Sequence, residues 1–167
     1  MKGLILYSSL TGNTKKIAEA IYESITFEKD VCSADENYDL EQYDVIIIGY
    51  WVDKGMCNKK IKEIIEKLEN KDIILFGTLG ARDKGEYYES TKKKIEAIIP
   101  ENNKILGHFL CQGKIDERLT EKYKEMIKES PNAEHIKEQL KNHYEAASHP
   151  DLNDLQMAKV FISNIFV

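Results

Sequence analysis

Short apolar runs alternate with amphipathic stretches along the whole chain, and this alternation constrains the fold most strongly. Two runs, Val45–Ile48 and Ile73–Phe76, are apolar at every position. A strand with such a continuous pattern is buried on both faces, which is typical of a parallel sheet covered by helices. With three weaker runs added, the predicted strands are Leu4–Tyr7, Asp30–Ala34, Asp44–Gly49, Asp72–Gly77 and Lys104–Cys111. The Asp30–Ala34 strand is weak enough to be an edge strand.

The segments between these runs carry apolar residues at helical spacing. The predicted helices are Asn13–Ile25, Lys59–Leu68, Tyr87–Ile99, a charged and mostly helical stretch from Asp116 to Ser148 that is interrupted at Ser130 and Pro131, and a last helix from Asp151. Asp151 can cap that last helix together with Asp154. Strands interleaved with helices indicate an α/β fold with a doubly wound parallel sheet. The length of 167 residues suits one domain, 1–167, with a helical insertion at about 116–149 before the last helix.

Ligands of doubly wound folds bind at the carboxyl ends of the strands. The first predicted strand ends in Ser8 and Ser9 and leads directly into a helix through the segment Leu10–Thr14. Free backbone N–H groups and the helix dipole favour an anion at such a turn, and Gly12 lets the backbone approach it closely. The hydroxyls of Ser9, Thr11 and Thr14 add uncharged donors. The turn is therefore predicted to bind a terminal phosphate monoester, although an ordinary turn with a hydroxyl cap is the alternative.

The motifs of other known kinds of phosphate site are absent from the chain. The chain has neither the G-x-x-x-x-G-K-[ST] loop of nucleoside triphosphatases nor the G-x-G-x-x-G turn of dinucleotide-binding folds. Strands one and three end in Ser8-Ser9 and Gly49-Tyr50 rather than in the acidic residues of a receiver domain that is phosphorylated on aspartate.

The run Ser9-Leu10-Thr11-Gly12-Asn13-Thr14 matches the [ST]-x-T-G-x-T signature of the flavodoxin family, which the chain resembles over about residues 2–113 and in the last helix. The resemblance implies a flavodoxin-like three-layer sandwich with five strands in the order 2-1-3-4-5. It also implies flavin mononucleotide (FMN) as the cofactor, with Ser9, Thr11, Gly12, Asn13 and Thr14 around its phosphate.

The loops after strands three and four are expected to hold the flavin ring. Flavodoxins flank the ring with aromatic residues, and Trp51 is the expected stacking residue, with Tyr50 as second choice and a core position for Trp51 as the alternative. The further expected cofactor-binding residues are Val52, Asp53, Lys54, Gly55, Thr78, Leu79, Gly80, Ala81 and Tyr87. The G-x-G-D pattern of the family's second loop is missing. Tyr87 or Tyr88 could therefore face solvent instead of covering the flavin ring, and both alternatives stay open.

The family resemblance also implies a role for the loop that follows strand three. In flavodoxins a backbone carbonyl of this loop bonds N5 of the one-electron-reduced flavin after a peptide flip, and Gly55 is the candidate because glycine tolerates positive φ. Lys54 would raise the flavin potential if it lay beside N1, but a solvated loop lysine is the alternative.

The function implied by the resemblance is electron transfer between a reductase and a redox partner enzyme. A narrower resemblance, carried by Gly49–Gly55, Phe76–Ala81 and Phe109–Ile115, is to short flavodoxin-like proteins, some associated with a bilirubin reductase. The alternatives are an FMN-dependent oxidoreductase acting on NAD(P)H or a small substrate, with the insertion as a lid or subunit contact, and a module that has lost its cofactor.

Composition limits the partners and the compartment. The formal net charge of −5 argues against a nucleic-acid partner. Cys32, Cys57 and Cys111 lack zinc or redox-motif spacing, which suits a reducing compartment. No apolar run is long enough for a membrane span or a signal peptide, and the histidines lack metal-ligand spacing. We therefore expect a cytoplasmic protein with redox partner proteins and without nucleic-acid, membrane or metal binding.

Overall fold

The structure, a computed structural model, describes all 167 residues and contains a five-stranded parallel sheet. Its strands are β1 (Lys2–Tyr7), β2 (Glu28–Ser33), β3 (Val45–Asp53), β5 (Asp72–Leu79) and β6 (Lys104–Gln112), and β4 (Met56–Cys57) is a short extra strand. The parallel strands lie in the order β2-β1-β3-β5-β6, and β4 pairs antiparallel with the end of β3. Counted without β4, this is the predicted order 2-1-3-4-5, which is thereby confirmed.

Helices cover both faces of the sheet. They are α1 (Asn13–Ser24), α2 (Lys59–Ile65), α3 (Glu86–Ala97), α4 (Glu117–Glu129), α5 (Glu134–Ala146) and α6 (Leu152–Ile165), and a 3₁₀ turn spans Leu40–Gln42. None of the six helices combines the length and the apolar character that a membrane span requires.

The alternation of side chains along β3 explains why its first four residues, Val45–Ile48, are all apolar. Ile46 and Ile48 belong to the core under α2 and α3, whereas Val45 and Ile47 belong to the core under α1 and α6. Successive side chains of a strand point to opposite faces. A strand buried on both sides therefore needs an apolar residue at each position, which confirms the prediction of a three-layer sandwich.

Two strands extend at their carboxyl ends by two or more residues beyond the predicted bounds. β3 continues past Gly49 to Asp53, and β5 continues past Gly77 to Leu79. The predicted loop after Gly49 is therefore a strand end followed by a hairpin into β4. The predicted cap of the last helix is confirmed, since Asp151 and Asp154 each accept a hydrogen bond from the other's backbone N–H.

Candidate functional site

The turn between β1 and α1 presents several hydrogen-bond donors. The Ser9 hydroxyl accepts from the backbone N–H groups of Gly12 and Lys15, at 3.1 and 3.3 Å. The N–H groups of Asn13 and Thr14 donate to no backbone carbonyl. Gly12 has φ 90°, and no atom lies within 4 Å of where a Cβ would stand. Helix N–H groups and hydroxyls, without a carboxylate in the turn, fit a phosphate group.

Thr14 is arranged differently from the other predicted phosphate ligands. Its hydroxyl is buried, donates to the Tyr50 carbonyl at 3.3 Å and lies 2.9 Å from the Thr78 hydroxyl. A hydroxyl has one proton, and the Thr14 hydroxyl donates it to Tyr50 rather than to a ligand. This hydroxyl therefore connects α1 to the ends of β3 and β5.

A pocket of about 370 Å³ opens beside this turn, at the carboxyl edge of the sheet. This volume lies within the range of small-molecule sites. Most of the predicted residues line it, namely Ser9, Thr11, Asn13, Thr14, Trp51, Val52, Asp53, Lys54, Thr78, Leu79, Gly80 and Ala81. The structure thus brings together the three segments in which the sequence predicted cofactor contacts.

The hydrogen bonds of Asn58 hold the Trp51 segment of β3 against the first turn. Asn58 is buried and precedes α2, and its carbonyl oxygen accepts from the Trp51 N–H at 3.2 Å while its amide donates to the Ser8 hydroxyl at 3.0 Å. Nothing in the sequence pattern singled out this asparagine. Its role depends on the meeting of two loops that lie about 50 residues apart.

The prediction that the Tyr50 ring could stack on the flavin is wrong. β3 continues through this position, so the ring points into the core, where it is fully buried. Its hydroxyl lies 2.5 Å from His108 Nε2, and His108 Nδ1 lies 2.8 Å from Glu96. Burial raises the pKa of Tyr50 well above its usual value and lowers the pKa of His108 to about 4. At neutral pH the tyrosine therefore donates to a neutral imidazole, which donates to the carboxylate.

Three other predicted residues do not line the pocket. Gly12 lies at the start of α1, and Gly55 lies in the β3–β4 turn at φ 77°. Tyr87 is about half exposed, and its ring approaches Gly55 rather than the pocket. Gly55 is not the one residue of this turn at positive φ, because Lys54 has φ 50°.

Part of the pocket wall comes from segments in which the sequence predicted no binding residues. These are the residues that follow β6 and one side of the α4–α5 hairpin: Gly113, Lys114, Ile115, Asp116, Leu119, Tyr123, Gln139, Asn142 and His143, together with Leu10 of the first turn. The position of Gly113 and Lys114 after the last strand was the one available signal, since ligands bind at strand ends.

The α5 helix is attached to the loop that follows β5. The side chain of Asn142 donates to the Gly80 carbonyl at 2.9 Å, and Arg82 donates two hydrogen bonds to Glu145. The Gln112 amide also donates to the Gly80 carbonyl, at 3.4 Å. The carbonyl of Gly80 is therefore occupied within the protein.

A cluster of His149, Asp151 and Asp154 has the composition of a metal site, with ligand atoms within 4.8 Å of one another. Both carboxylates cap α6, and Asp154 accepts from His149 Nδ1 at 2.6 Å, which raises the pKa of His149. These contacts explain the cluster as a helix cap.

Comparison with known proteins identifies the family. A family model described as "Flavodoxin domain" matches residues 4–163. The chain is 54% identical over 171 residues to the flavodoxin-like domain-containing protein BilS of Clostridioides difficile, covering 100% of this chain and 97% of that protein. This relative confirms the narrower resemblance to a branch of short flavodoxin-like proteins.

Two solved structures are similar in fold. Oxidised flavodoxin 2 of Bacillus cereus has a TM-score of 0.63 and 18% identity, with 99% of this chain and 98% of that chain covered. A flavoprotein of Lactobacillus acidophilus, solved in complex with FMN, has a TM-score of 0.54 and 22% identity, with 65% and 92% covered. The strand order, the family model and the close relative together show that the chain belongs to the flavodoxin family.

Proposed function

We propose that this protein is an FMN-dependent electron-transfer protein that passes electrons between a reductase and a redox partner enzyme. FMN is the cofactor of the flavodoxin family, to which the chain belongs. The observation that carries the proposal is the junction of the donor-rich turn at α1 with a pocket that Trp51 lines. A phosphate and an aromatic ring are the two ends of this cofactor, and the site offers a matching group for each.

The residues of the site divide the binding task between them. The Ser9 and Thr11 hydroxyls and the free N–H groups of Asn13 and Thr14 are suited to bind the phosphate. The Trp51 ring is suited to stack on the flavin. The N–H groups of Gly80 and Ala81 donate to no backbone carbonyl, so they are available as donors to the polar edge of the ring. FMN, when bound, supplies the redox chemistry, and the protein positions it.

Transfer to a protein partner is supported by exposed apolar side chains beside the pocket. Leu10 and Leu119 both line the pocket and are 60% and 42% exposed. Exposed apolar residues at the mouth of a site are suited to contact with another protein. The resemblance to a branch of which some members are associated with a bilirubin reductase makes such a reductase the first partner to test.

Reduction kinetics test this function against the alternative of an FMN-dependent oxidoreductase. The FMN-loaded protein is mixed with NADH or NADPH, with and without a flavodoxin reductase, and the absorbance of oxidised flavin is followed. We expect rapid bleaching only when the reductase is present. Rapid bleaching by NADH or NADPH alone would instead support the oxidoreductase. A protein that takes up no FMN would overturn both.

A further inference from the structure

Two residues with aromatic side chains, apart from His143, line the pocket: Trp51 at the end of β3 and Tyr123 on α4. Trp51 comes from a segment in which the sequence predicted ring contacts. Tyr123 comes from the helical insertion, where no cofactor residue was expected. Both side chains are only partly buried, so each keeps a surface open to a ligand.

The two tyrosines that follow β5 are used elsewhere. The Tyr88 hydroxyl donates to the Leu110 carbonyl at 2.8 Å, on the side of α3 and β6. The Tyr87 ring is 49% exposed and lies against the β3–β4 turn at Gly55. Neither residue lines the pocket. The loop after β5 therefore brings no aromatic side chain to the site.

The Tyr123 ring is held in place by His143 of α5. The two rings are in edge contact, with their centroids 5.2 Å apart and their planes at 64°. His143 is only 4% exposed, and its Nδ1 lies 2.8 Å from the Thr120 hydroxyl. Burial lowers the pKa of His143, so its ring is neutral at pH 7 and its Nδ1 can accept from Thr120.

The contacts of α5 connect this aromatic pair to the sheet. Asn142, the neighbour of His143, donates a hydrogen bond to the Gly80 carbonyl, and Glu145 accepts one from Arg82. Tyr123, although on an inserted helix, is thus fixed relative to the loop that lines the pocket beside it.

We propose that Tyr123 supplies the second aromatic contact to the flavin ring, where a tyrosine of the loop after β5 was expected. His143 is a positioning residue that holds the Tyr123 ring through their edge contact. This inference rests on the proposed function, because its ligand is the FMN of that function. It assigns the insertion a role in binding the cofactor.

Binding titrations with three variants test the role of Tyr123. We expect Tyr123→Leu to bind FMN about 3- to 10-fold more weakly, the size of effect that an aromatic contact has, and Tyr123→Phe to stay within about twofold of wild type. The matched control is Tyr144→Leu, because Tyr144 lies on α5, is 61% exposed and does not line the pocket. Its affinity should equal that of wild type.

A double-mutant cycle tests the role of His143. Replacing His143 by Leu should weaken FMN binding in the wild-type background but not in the Tyr123→Leu background, since it acts through the Tyr123 ring. The visible spectrum of bound FMN should change in the same way in both single variants. Two additive losses of affinity would overturn the positioning role.

The proposal for Tyr123 is overturned if Tyr123→Leu binds FMN as wild type does, or if Tyr144→Leu is weakened equally. A crystal structure of the FMN-loaded wild-type protein decides the question without a variant, since the Tyr123 ring must lie in van der Waals contact with the flavin. If wild-type protein binds FMN and this contact is absent, the inference fails while the proposed function stands. If wild-type protein binds no FMN, the proposed function fails as well.

Discussion

Ser9 serves local structure and ligand binding with a single hydroxyl. Its oxygen accepts from the N–H groups of Gly12 and Lys15. A hydroxyl has two acceptor positions and one proton, so the proton remains for a ligand. The [ST]-x-T-G-x-T signature is thus also a folding signal for the start of α1.

Replacing Ser9 by Ala should weaken both functions. The apo-protein should lose about 0.5–1.5 kcal/mol of unfolding free energy, because two N–H groups lose their acceptor. FMN affinity should fall by about tenfold or more, since hydrogen bonds to charged groups are stronger. Urea unfolding and FMN titration measure the two effects. In the control Ser24→Ala, at the other end of α1, the lost bond goes to Ala20 and FMN affinity should not change. Equal affinities of the two variants would contradict this prediction.

The buried row of Tyr50, His108 and Glu96 connects the core to the surface through hydrogen bonds. The His108 side chain is 3% exposed, and desolvation lowers its pKa to about 4. In the unfolded chain the pKa of histidine is about 6.5. Between these two pH values the unfolded state binds a proton that the native state does not bind, so acid destabilises the native state through this residue.

The His108→Gln variant should resist this acid destabilisation. In wild type the free energy of unfolding should fall from pH 6.5 to pH 4 by up to about 3 kcal/mol through His108. Gln can still accept from the Tyr50 hydroxyl but does not titrate. All other titrating groups are shared, so the difference between the two urea-unfolding series across this pH range isolates His108. Parallel curves would be incompatible with a neutral buried histidine.

At the scale of elements, the turn between β3 and β4 consists of two residues, both with positive φ. Val52 pairs with Cys57 and Asp53 with Met56, which leaves Lys54 and Gly55 to close the hairpin. This is the geometry of a type I′ turn, for which Asn-Gly is the preferred pair. Lysine with φ 50° is therefore strained.

Replacing Lys54 by Asn should raise the free energy of unfolding by about 0.5–1 kcal/mol, because asparagine tolerates the left-handed conformation better. Urea unfolding of the apo-protein measures the change. The matched control is Lys54→Ala, which removes the same charge without that tolerance and should give no gain. An equal gain in both variants would show that charge, rather than backbone conformation, limits this turn.

The type and order of the elements could be predicted from periodicity, whereas two strand ends could not. In the sequence, Gly49 and Gly77 indicate strand ends, but in the structure each lies inside a strand. Each position is glycine because a neighbouring aromatic ring occupies the space that a Cβ would need. A Cβ on Gly49 would lie 2.2 Å from the Phe76 ring, and one on Gly77 would lie 2.4 Å from the Tyr50 ring. Contacts between neighbouring strands decide these positions, and local sequence does not contain them.

At the scale of the whole molecule, the site was predictable where it follows the sheet. Ser9, Trp51 and Gly80 lie at strand ends, which parallel topology brings to one edge. Tyr123 and Asn142 were missed because they reach the pocket through the packing of α4 and α5. The contact of Asn142 with Gly80 spans 62 positions, and no spacing along the chain predicts it.

Removal of FMN should lower the stability of the whole domain, because a ligand that binds only the native state stabilises it by an amount that grows with the logarithm of its concentration over Kd. At 100 times Kd the gain is about 2.7 kcal/mol, which for a chain of this size raises Tm by about 5–10 °C. Scanning calorimetry of apo- and FMN-loaded protein measures the shift. Riboflavin at the same concentration should raise Tm less, since it lacks the phosphate that the α1 turn is proposed to bind. Equal shifts with both ligands would mean that the flavin ring alone provides the binding energy, and the turn at Ser9 would then have no part in it.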